Sequence, residues 1–466
     1  MIAGVDYRGT VPAAAEATRR LTRRIARPET PVRLRLWGFW VICTAVALLA
    51  ATSLLMLQVQ RQVRIIGTEA APQAATASDL YFALSDMDAQ VARMILVGDA
   101  DALAGSQIDA LGTYRERSTQ VDADLQRSLT TATGDADRAT VLQLLNHLAI
   151  YRQRVWQALT AQSQAPPQPP GTLPPDALGY YTQATNVLHV DLLPTAKRLR
   201  DASEARLDRA YADKRVTEVV GIGLTVVLGA GLVVLLIALQ VWLARRFRRV
   251  LNPALLAATV LTGALTVCAG AVFAAQGQRL GAARDDHLAP YLALSQARAI
   301  SYDAAADTSR YLVSANLAYY RQDFTRKSQC LINGGSCGSG AGTIDGGLAA
   351  VAGGTTVSGV QGRQVLDRWL AYQRDHERIV GLADSGRRAE AVDTLTGIRR
   401  GDAAFDFSYF DAAVGEVATA RKHAFDVSLR DTERLLTGWP VILVLVMALV
   451  ILLVPLGVRK RLAEYR

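Results

Sequence analysis

The sequence predicts an all-α membrane protein with four transmembrane helices and two extracytoplasmic helical-bundle domains that are related by internal duplication. Two observations lead to this prediction. Four uncharged apolar runs each hold roughly 20 residues, and similar features of the two halves lie about 218 residues apart. The composition agrees, because 50% of the 466 residues are hydrophobic and only 20% are charged, against about 25% in ordinary soluble domains.

The apolar runs divide the chain into nine segments. The first run is preceded by a long tail and exceeds the apolar part of a signal peptide, so we interpret it as an uncleaved anchor. In chain order we expect a basic tail (1–35), a first span (36–58), an outer domain (59–218), a second span (219–243), a basic loop (244–253), a third span (254–275), a second outer domain (276–435), a fourth span (436–457) and a short tail (458–466).

Positive charge is concentrated beside the apolar runs. The first tail has eight arginines against three acidic residues, the loop has four arginines and no acid, and the last tail has four basic residues against one glutamate. Arginine-rich segments next to spans stay in the cytoplasm, so we expect a multi-pass plasma-membrane protein with both termini and the loop inside. The net charge of +9 is explained in this way and does not indicate nucleic-acid binding.

The two halves resemble each other at a constant offset. Pro72 and Pro290 lie 218 residues apart, and SDMDAQVARMILV (Ser85–Val97) is similar to SYDAAADTSRYLV (Ser301–Val313). The repeats are parallel, because each half reads span, outer segment, span. Apolar residues at three- and four-residue spacing predict helices in both outer segments, and sustained strand-like alternation is missing.

Two aspartate–arginine pairs recur in the two halves. Asp86 and Arg93 are seven residues apart, as are Asp303 and Arg310, so each pair lies on one face of a helix. Arginine can hold a carboxylate through two hydrogen bonds and aspartate can hold an ammonium group, so the pairs could recognise an amino acid or a partner protein. The alternative is that they are solvated charges on the bundle surface.

Cys330 and Cys337 are predicted to form a disulfide in the second outer domain. The six residues between them, LINGGS, allow the loop to close, and the outside of a bacterial membrane permits oxidation. Two free thiols are the alternative. A metal site is not expected, because no further cysteine or paired histidine accompanies them.

Residues typical of an enzyme, a metal centre or a cofactor site do not occur in a supporting context, so we predict no enzymatic activity, no metal and no cofactor. The spans lack central ionisable residues, which argues against a transporter. The cytoplasmic segments are too short for an output domain, so a separate protein must read any message. Candidate contacts for that partner, or for anionic lipid, are Arg245, Arg246, Arg248 and Arg249; the alternative is that they only set topology.

The four spans, the paired helical outer domains and the segments LNPALLAATVLTGAL and VPLGVRKRLAEYR resemble an actinobacterial family of four-span membrane proteins, the GlnX-like family. The resemblance implies a solute-binding lipoprotein of the glutamine-binding type as the outer partner. It also implies the soluble serine/threonine protein kinase G as the cytosolic partner. Signals about aspartate or glutamate outside the cell would pass along this arrangement.

The sequence is therefore compatible with three functions. The first is a non-enzymatic transmembrane sensor or relay, which binds an amino acid or an amino-acid-loaded lipoprotein outside and a kinase inside. The second is a scaffold protein of the cell envelope, and the third is a transporter subunit. The small residues in spans two and three permit close helix packing within one chain or in a homo-oligomer.

Overall fold

The computed structural model describes residues 30–98, 100–132, 134–247, 252–338, 342–353 and 359–462. Within them the fold is all-α, as predicted, and the strands are limited to one antiparallel pair, β1 (Gly335–Ser336) and β2 (Thr343–Ile344). The longer helices in chain order are α1 (Thr30–Ile65), α2 (Ala71–Val97), α3 (Ala104–Thr131), α4 (Asp135–Gln164), α5 (Pro175–Asn186), α6 (Leu193–Phe247), α7 (Pro253–Ala283), α8 (Ala289–Val313), α9 (Ala318–Asn333), α10 (Gly347–Gly353), α11 (Gly359–Asp384), α12 (Arg388–Thr396), α13 (Ala403–Thr437) and α14 (Trp439–Leu462).

The described residues group into two compact units. The first, called the apolar unit here, takes the chain up to Val59, Val216–Gln276 and the chain from Leu435 onward. The second, called the polar unit, takes Gln60–Arg215 and Gly277–Arg434. Both predicted outer segments therefore contribute to one compact unit and not to two separate domains.

The apolar unit is built around one core to which four helices contribute. Buried aliphatic residues recur every three or four positions, as in Leu232, Leu236, Leu239 and Leu243 of α6, and they pack with residues of α1, α7 and α14. Large aliphatic side chains also point outward from these helices, as a lipid-facing surface requires.

Among the described residues, three helices are long and apolar enough to cross a membrane, and they carry the first three predicted spans. The fourth predicted span, 436–457, begins at the end of α13 and lies mostly in α14, whose described apolar stretch, Val441–Gly457, is shorter. The fourth span therefore stays a prediction.

Small and polar residues bring α6 and α7 together in the apolar unit. A Cβ at Gly229 would lie 2.3 Å from Oγ1 of Thr266, so only glycine permits this approach. Gln240 donates through Nε2 to the Leu255 carbonyl (2.9 Å) and to Oγ1 of Thr259 (2.8 Å). Interhelical hydrogen bonds of this kind satisfy polar groups that would be costly in an apolar environment.

Helices α2 and α8 form the centre of the polar unit. They pack against each other, while α3 packs on α2 and α9 packs on α8. Both are rich in alanine and serine and are buried over most of their surface, instead of showing one apolar face. Their mutual packing is the physical reason why the two outer segments join in one unit, because small side chains let helix backbones approach closely.

A π-helical turn precedes three of the helices and coincides each time with a proline. The turns are Ile66–Ala70, Val187–Leu192 and Arg284–Leu288, and the following helices α2, α6 and α8 carry proline as their second residue. Proline lacks the N–H that would bond the carbonyl four residues earlier, so the helix widens where that bond is missing.

The predicted disulfide between Cys330 and Cys337 is confirmed. It joins the end of α9 to the glycine-rich turn that holds β1 and β2. Gly334 (φ +80°) and Gly347 (φ +68°) adopt left-handed backbone, and a Cβ on Gly347 would lie 2.3 Å from the Ile332 carbonyl oxygen. Glycine is therefore required where this turn folds back on α9.

Candidate functional site

The first predicted pair, Asp86 and Arg93, lies on α2 but does not form an internal ion pair. Asp86 is fully buried, where its carboxylate accepts hydrogen bonds from Nε of Arg117 (2.5 Å) and Nε2 of Gln90 (2.7 Å). Arg93 instead donates through Nη1 to Asp109 (2.9 Å) and through Nε to Ser106 (2.9 Å). Burial raises the pKa of Asp86, and the nearby Arg117 opposes that rise.

The second predicted pair, Asp303 and Arg310 on α8, does form an ion pair, from Nη1 to Oδ1 at 3.1 Å. Nη1 also donates to Asp307 (2.6 Å), and Nη2 donates to Asp88 on α2. Asp86, Asp303 and Arg310 are all buried, so the alternative of solvated surface charges is wrong for these three residues. The sequence pattern could not show this, because α2 and α8 bury each other.

A larger set of charges surrounds Arg310. Lys327 on α9 donates from Nζ to carboxylates of Asp303 (2.6 Å), Asp307 (2.6 Å) and Asp323 (2.8 Å). His189, in the second π turn, contacts Asp303 through Nε2 at 3.0 Å. We call this set the ion cluster; its members are Asp88, His189, Asp303, Asp307, Arg310, Asp323 and Lys327.

The pKa values of the ionisable groups in the ion cluster are set by burial and by the charges of the other members. Burial disfavours ionisation of Asp303, but Lys327, His189 and Arg310 outweigh it and hold the pKa of Asp303 well below its usual range. At Asp307 burial dominates and raises the pKa to about 6. Burial lowers the pKa of His189, yet Asp303 more than compensates and the net shift is upward. The cluster thus joins α2, α8, α9 and the second π turn through charges that are mostly buried, with His189 partly exposed at its edge.

A cavity of about 310 Å³ lies on the other side of α2 and α8. Its walls come from α2, α3, α8, α11, α12 and α13. On α8, Tyr302, Ala305 and Ser309 line the cavity, whereas Asp303, Asp307 and Arg310 belong to the ion cluster. The two sets occupy different faces of one helix, since residues three, four and seven positions apart share a face.

The charged residues of the cavity wall are Arg93, Asp109 and Asp411. Arg298 on α8 donates to Asp411 on α13 through Nε (2.8 Å) and Nη2 (2.9 Å), so this carboxylate is held in a bidentate pair. Burial acts to lower the pKa of Arg298, but the hydrogen bond and charge of Asp411 leave a net rise. Arg298 therefore stays charged and fixes one side of the cavity.

Three aromatic rings form the apolar part of the wall. Phe407 on α13 packs edge-on against Tyr302 (ring centroids 4.8 Å apart) and against Tyr372 on α11 (5.0 Å). Tyr302, Ser309 and Thr113, which carry hydroxyl groups, line the same space. A cavity with an apolar wall and a few polar groups is typical of a small-molecule site.

Of the predicted recognition residues, Arg93 lies in the cavity wall, Asp303 and Arg310 lie in the ion cluster, and Asp86 is buried beside the cavity, bonded to the lining residue Gln90. Their role in recognition stays a prediction. In the basic loop 244–253, Arg248 and Arg249 lie outside the described residues, as does the side chain of Arg246, while Arg245 belongs to α6. Among the described residues no group of three or more histidine, cysteine or acidic side chains could hold a metal ion.

Sequence reasoning missed most of the site. Asp307 lies four residues after Asp303 and three before Arg310, a spacing that places all three on one helix face and could have been noticed. His189, Lys327 and the aromatic wall come from distant parts of the chain, and no local pattern connects them.

Residues 62–212 match the family model described as an actinobacterial sensor domain. This range includes the cavity residues of α2 and α3, as well as Asp88 and His189 of the ion cluster. The match fits a sensor protein of an actinobacterium, and the three apolar helices indicate a membrane protein with a sensor domain. No curated protein and no solved structure matches the chain.

Proposed function

We propose that the chain is a non-enzymatic transmembrane sensor that passes information about amino acids outside the plasma membrane to a protein in the cytoplasm. The observation that carries the proposal is the sensor-domain match over residues 62–212, because this range supplies two helices of the cavity wall. The cavity gives such a sensor a place to bind a small molecule, and the apolar helices give it a place in the membrane.

The topology belongs to the same proposal. Four spans, with both termini and the loop 244–253 in the cytoplasm, follow from the distribution of arginine. Participation of α14 in the same apolar core as α1, α6 and α7 supports a fourth span. The recurrence of helix, π turn and proline-containing helix at residues 30–97 and 253–313 supports an internal duplication.

The proposed partners rest on the resemblance to the GlnX-like family. A solute-binding lipoprotein would present aspartate or glutamate outside, and a cytosolic serine/threonine kinase would read the basic cytoplasmic segments. Acidic amino acids are read through the lipoprotein in this proposal, while the cavity is a separate input. The lipid bilayer is the third partner, and a homo-oligomer is compatible with the packing of the spans.

In this proposal the signal passes along helices that are continuous in the chain. Helix α2 continues from α1 and α8 continues from α7, each through one π turn. Both α2 and α8 line the cavity and carry members of the ion cluster. A ligand or partner that shifts α2 against α8 would therefore act on the two helices that connect with the apolar unit through single turns.

A gene deletion complemented with wild-type or variant chains tests the proposal. The sensor predicts that deletion abolishes the amino-acid dependence of phosphorylation of a cytosolic kinase target, and that Arg93→Ala restores it poorly. Arg115→Ala, an exposed position on α3, should restore it fully. A scaffold protein predicts envelope defects that are independent of nutrients and unchanged target phosphorylation, and that result would contradict the sensor.

A further inference from the structure

The charges around the cavity disfavour an acidic ligand. Each carboxylate of the cavity wall already has a cation: Asp411 pairs with Arg298, and Asp109 pairs with Arg93. Arg93 is therefore the one cation of the described wall that can take a ligand carboxylate. A ligand with two carboxylates and one ammonium group would bring a second carboxylate for which the described wall has no cation.

Arg93 and Asp109 each have capacity left for one ligand group. Arg93 uses Nε for Ser106 and Nη1 for Asp109, so Nη2 has no hydrogen-bond partner within the described residues. Asp109 accepts from Arg93 through Oδ2 only, and its side chain is 67% exposed. Nη2 of Arg93 can donate to one carboxylate, while Oδ1 of Asp109 can accept from one ammonium group.

The aromatic wall defines the rest of the ligand. Tyr302, Tyr372 and Phe407 line the cavity, and the ring of Phe407 packs against both tyrosine rings. Burying a flat apolar group against such a wall makes binding more favourable, whereas a small hydrophilic molecule has no apolar surface to bury there. The volume of about 310 Å³ lies at the lower end of the usual range for small-molecule sites.

We propose that the cavity binds a small zwitterion with a flat apolar group, such as an aromatic amino acid, with its carboxylate on Arg93, its ammonium group on Asp109 and its ring on Tyr302, Tyr372 and Phe407. The inference deepens the proposed function and rests on the polar unit being the sensing unit. It assigns to the cavity a neutral ligand class that differs from the acidic amino acids proposed for the lipoprotein.

Titration calorimetry on the full chain in detergent micelles tests the ligand class with four probes: phenylalanine, glutamate, phenethylamine and phenylacetate. Phenylalanine should bind most tightly, because phenethylamine lacks the carboxylate, phenylacetate lacks the ammonium group and glutamate lacks the ring. Arg93→Ala, Asp109→Asn and Phe407→Ala should each weaken phenylalanine binding by roughly ten-fold or more. Arg115→Ala should leave it unchanged, and circular dichroism checks that every variant is folded.

Three results would overturn the proposal. The first is tighter binding of glutamate than of phenylalanine, the second is binding of phenylalanine that none of the three cavity variants weakens, and the third is no binding of phenylalanine at all. None of these results touches the proposed sensor function, because the deletion arm of the phosphorylation assay tests that function whatever the cavity binds. Conversely, phenylalanine binding that the three cavity variants weaken would support the proposed cavity ligand even if deletion left target phosphorylation unchanged.

Discussion

Arg310 shows how charge is built into the interior of the polar unit. Its side chain is 1% exposed, and its guanidinium donates to Asp88, Asp303 and Asp307, which lie on two different helices. Neighbouring carboxylates overcome the effect of burial and keep the pKa of Arg310 above its usual value. A buried ion pair contributes little net stability compared with apolar packing, but removing one partner is costly because the other charge stays buried.

Arg310→Ala should therefore destabilise the polar unit by about 3–5 kcal/mol. Urea unfolding of the full chain in micelles, followed by circular dichroism, measures this loss. Arg387→Ala is the matched control, because Arg387 pairs with Glu390 where both side chains are more than half exposed, and no measurable change is expected there. Equal effects of the two substitutions would contradict a buried cluster.

The pair Asp375 and Asp406 predicts a pH dependence of stability. Burial and the neighbouring Asp406 raise the pKa of Asp375 to about 6, above its ordinary 3.8. A carboxyl with a raised pKa in the folded state stabilises the fold fully below the unfolded pKa, and this contribution is lost as the pH rises through about 6. Asp375→Asn mimics the protonated form at every pH.

The variant Asp375→Asn should accordingly be more stable than the wild type at about pH 7.5, and the difference should vanish below about pH 4. Thermal midpoints measured across this range provide the comparison. Asp393→Asn, at an exposed position on α12, should show no such pH-dependent gain. A constant difference at all pH values would rule out the titration of Asp375 as its cause.

At the scale of elements, an arginine side chain donates a hydrogen bond to the π turn before α8. Pro290 has no N–H to offer to the carbonyl of Asp286, and Nη1 of Arg421 on α13 donates to that carbonyl instead (2.7 Å). Nη2 of the same buried arginine donates to the Gly353 carbonyl (3.2 Å). The arginine replaces a backbone bond that proline removes, and it ties α13 to the turn.

Arg421→Ala should destabilise the polar unit by about 1–3 kcal/mol, because it leaves the Asp286 carbonyl without this donor. Adding Pro290→Ala restores a backbone N–H at residue 290, so the double variant should recover part of the loss. The rescue is partial because the bond to Gly353 is not restored. Additive losses in the urea unfolding of the two single variants and the double variant would contradict the link between Pro290 and Arg421.

The disulfide acts locally on the turn after α9. Its loop is short, so the bond contributes roughly 2–3 kcal/mol at most by the loop-entropy estimate. Replacing Cys330 and Cys337 by serine should leave the helical content unchanged while proteinase K cuts the turn between α9 and α10 faster. Intact-mass analysis that finds two free thiols in protein purified under oxidising conditions would contradict the bond.

At the scale of the whole molecule, the sequence predicts what depends on local composition. The first three spans and the disulfide could be predicted, because each depends only on residues that are close together in the sequence: an apolar run in one case and a short flexible loop in the other. The union of both outer segments in one unit could not, because it depends on α2 and α8 burying each other. For the same reason Asp86 and Arg310 were open to interpretation as surface charges, although both are buried.

The sensor account requires the polar unit outside the membrane and the basic segments inside. The direct test is labelling of single cysteines with a membrane-impermeant thiol reagent in intact cells, in a chain whose Cys43 and Cys268 are replaced by serine. Cysteines at Thr10, Phe247 and Glu464 should resist the reagent until the cells are opened, while a cysteine at exposed Gln168 should react at once. Ready labelling at any of the first three positions, or protection at Gln168, would contradict the topology and with it the sensor.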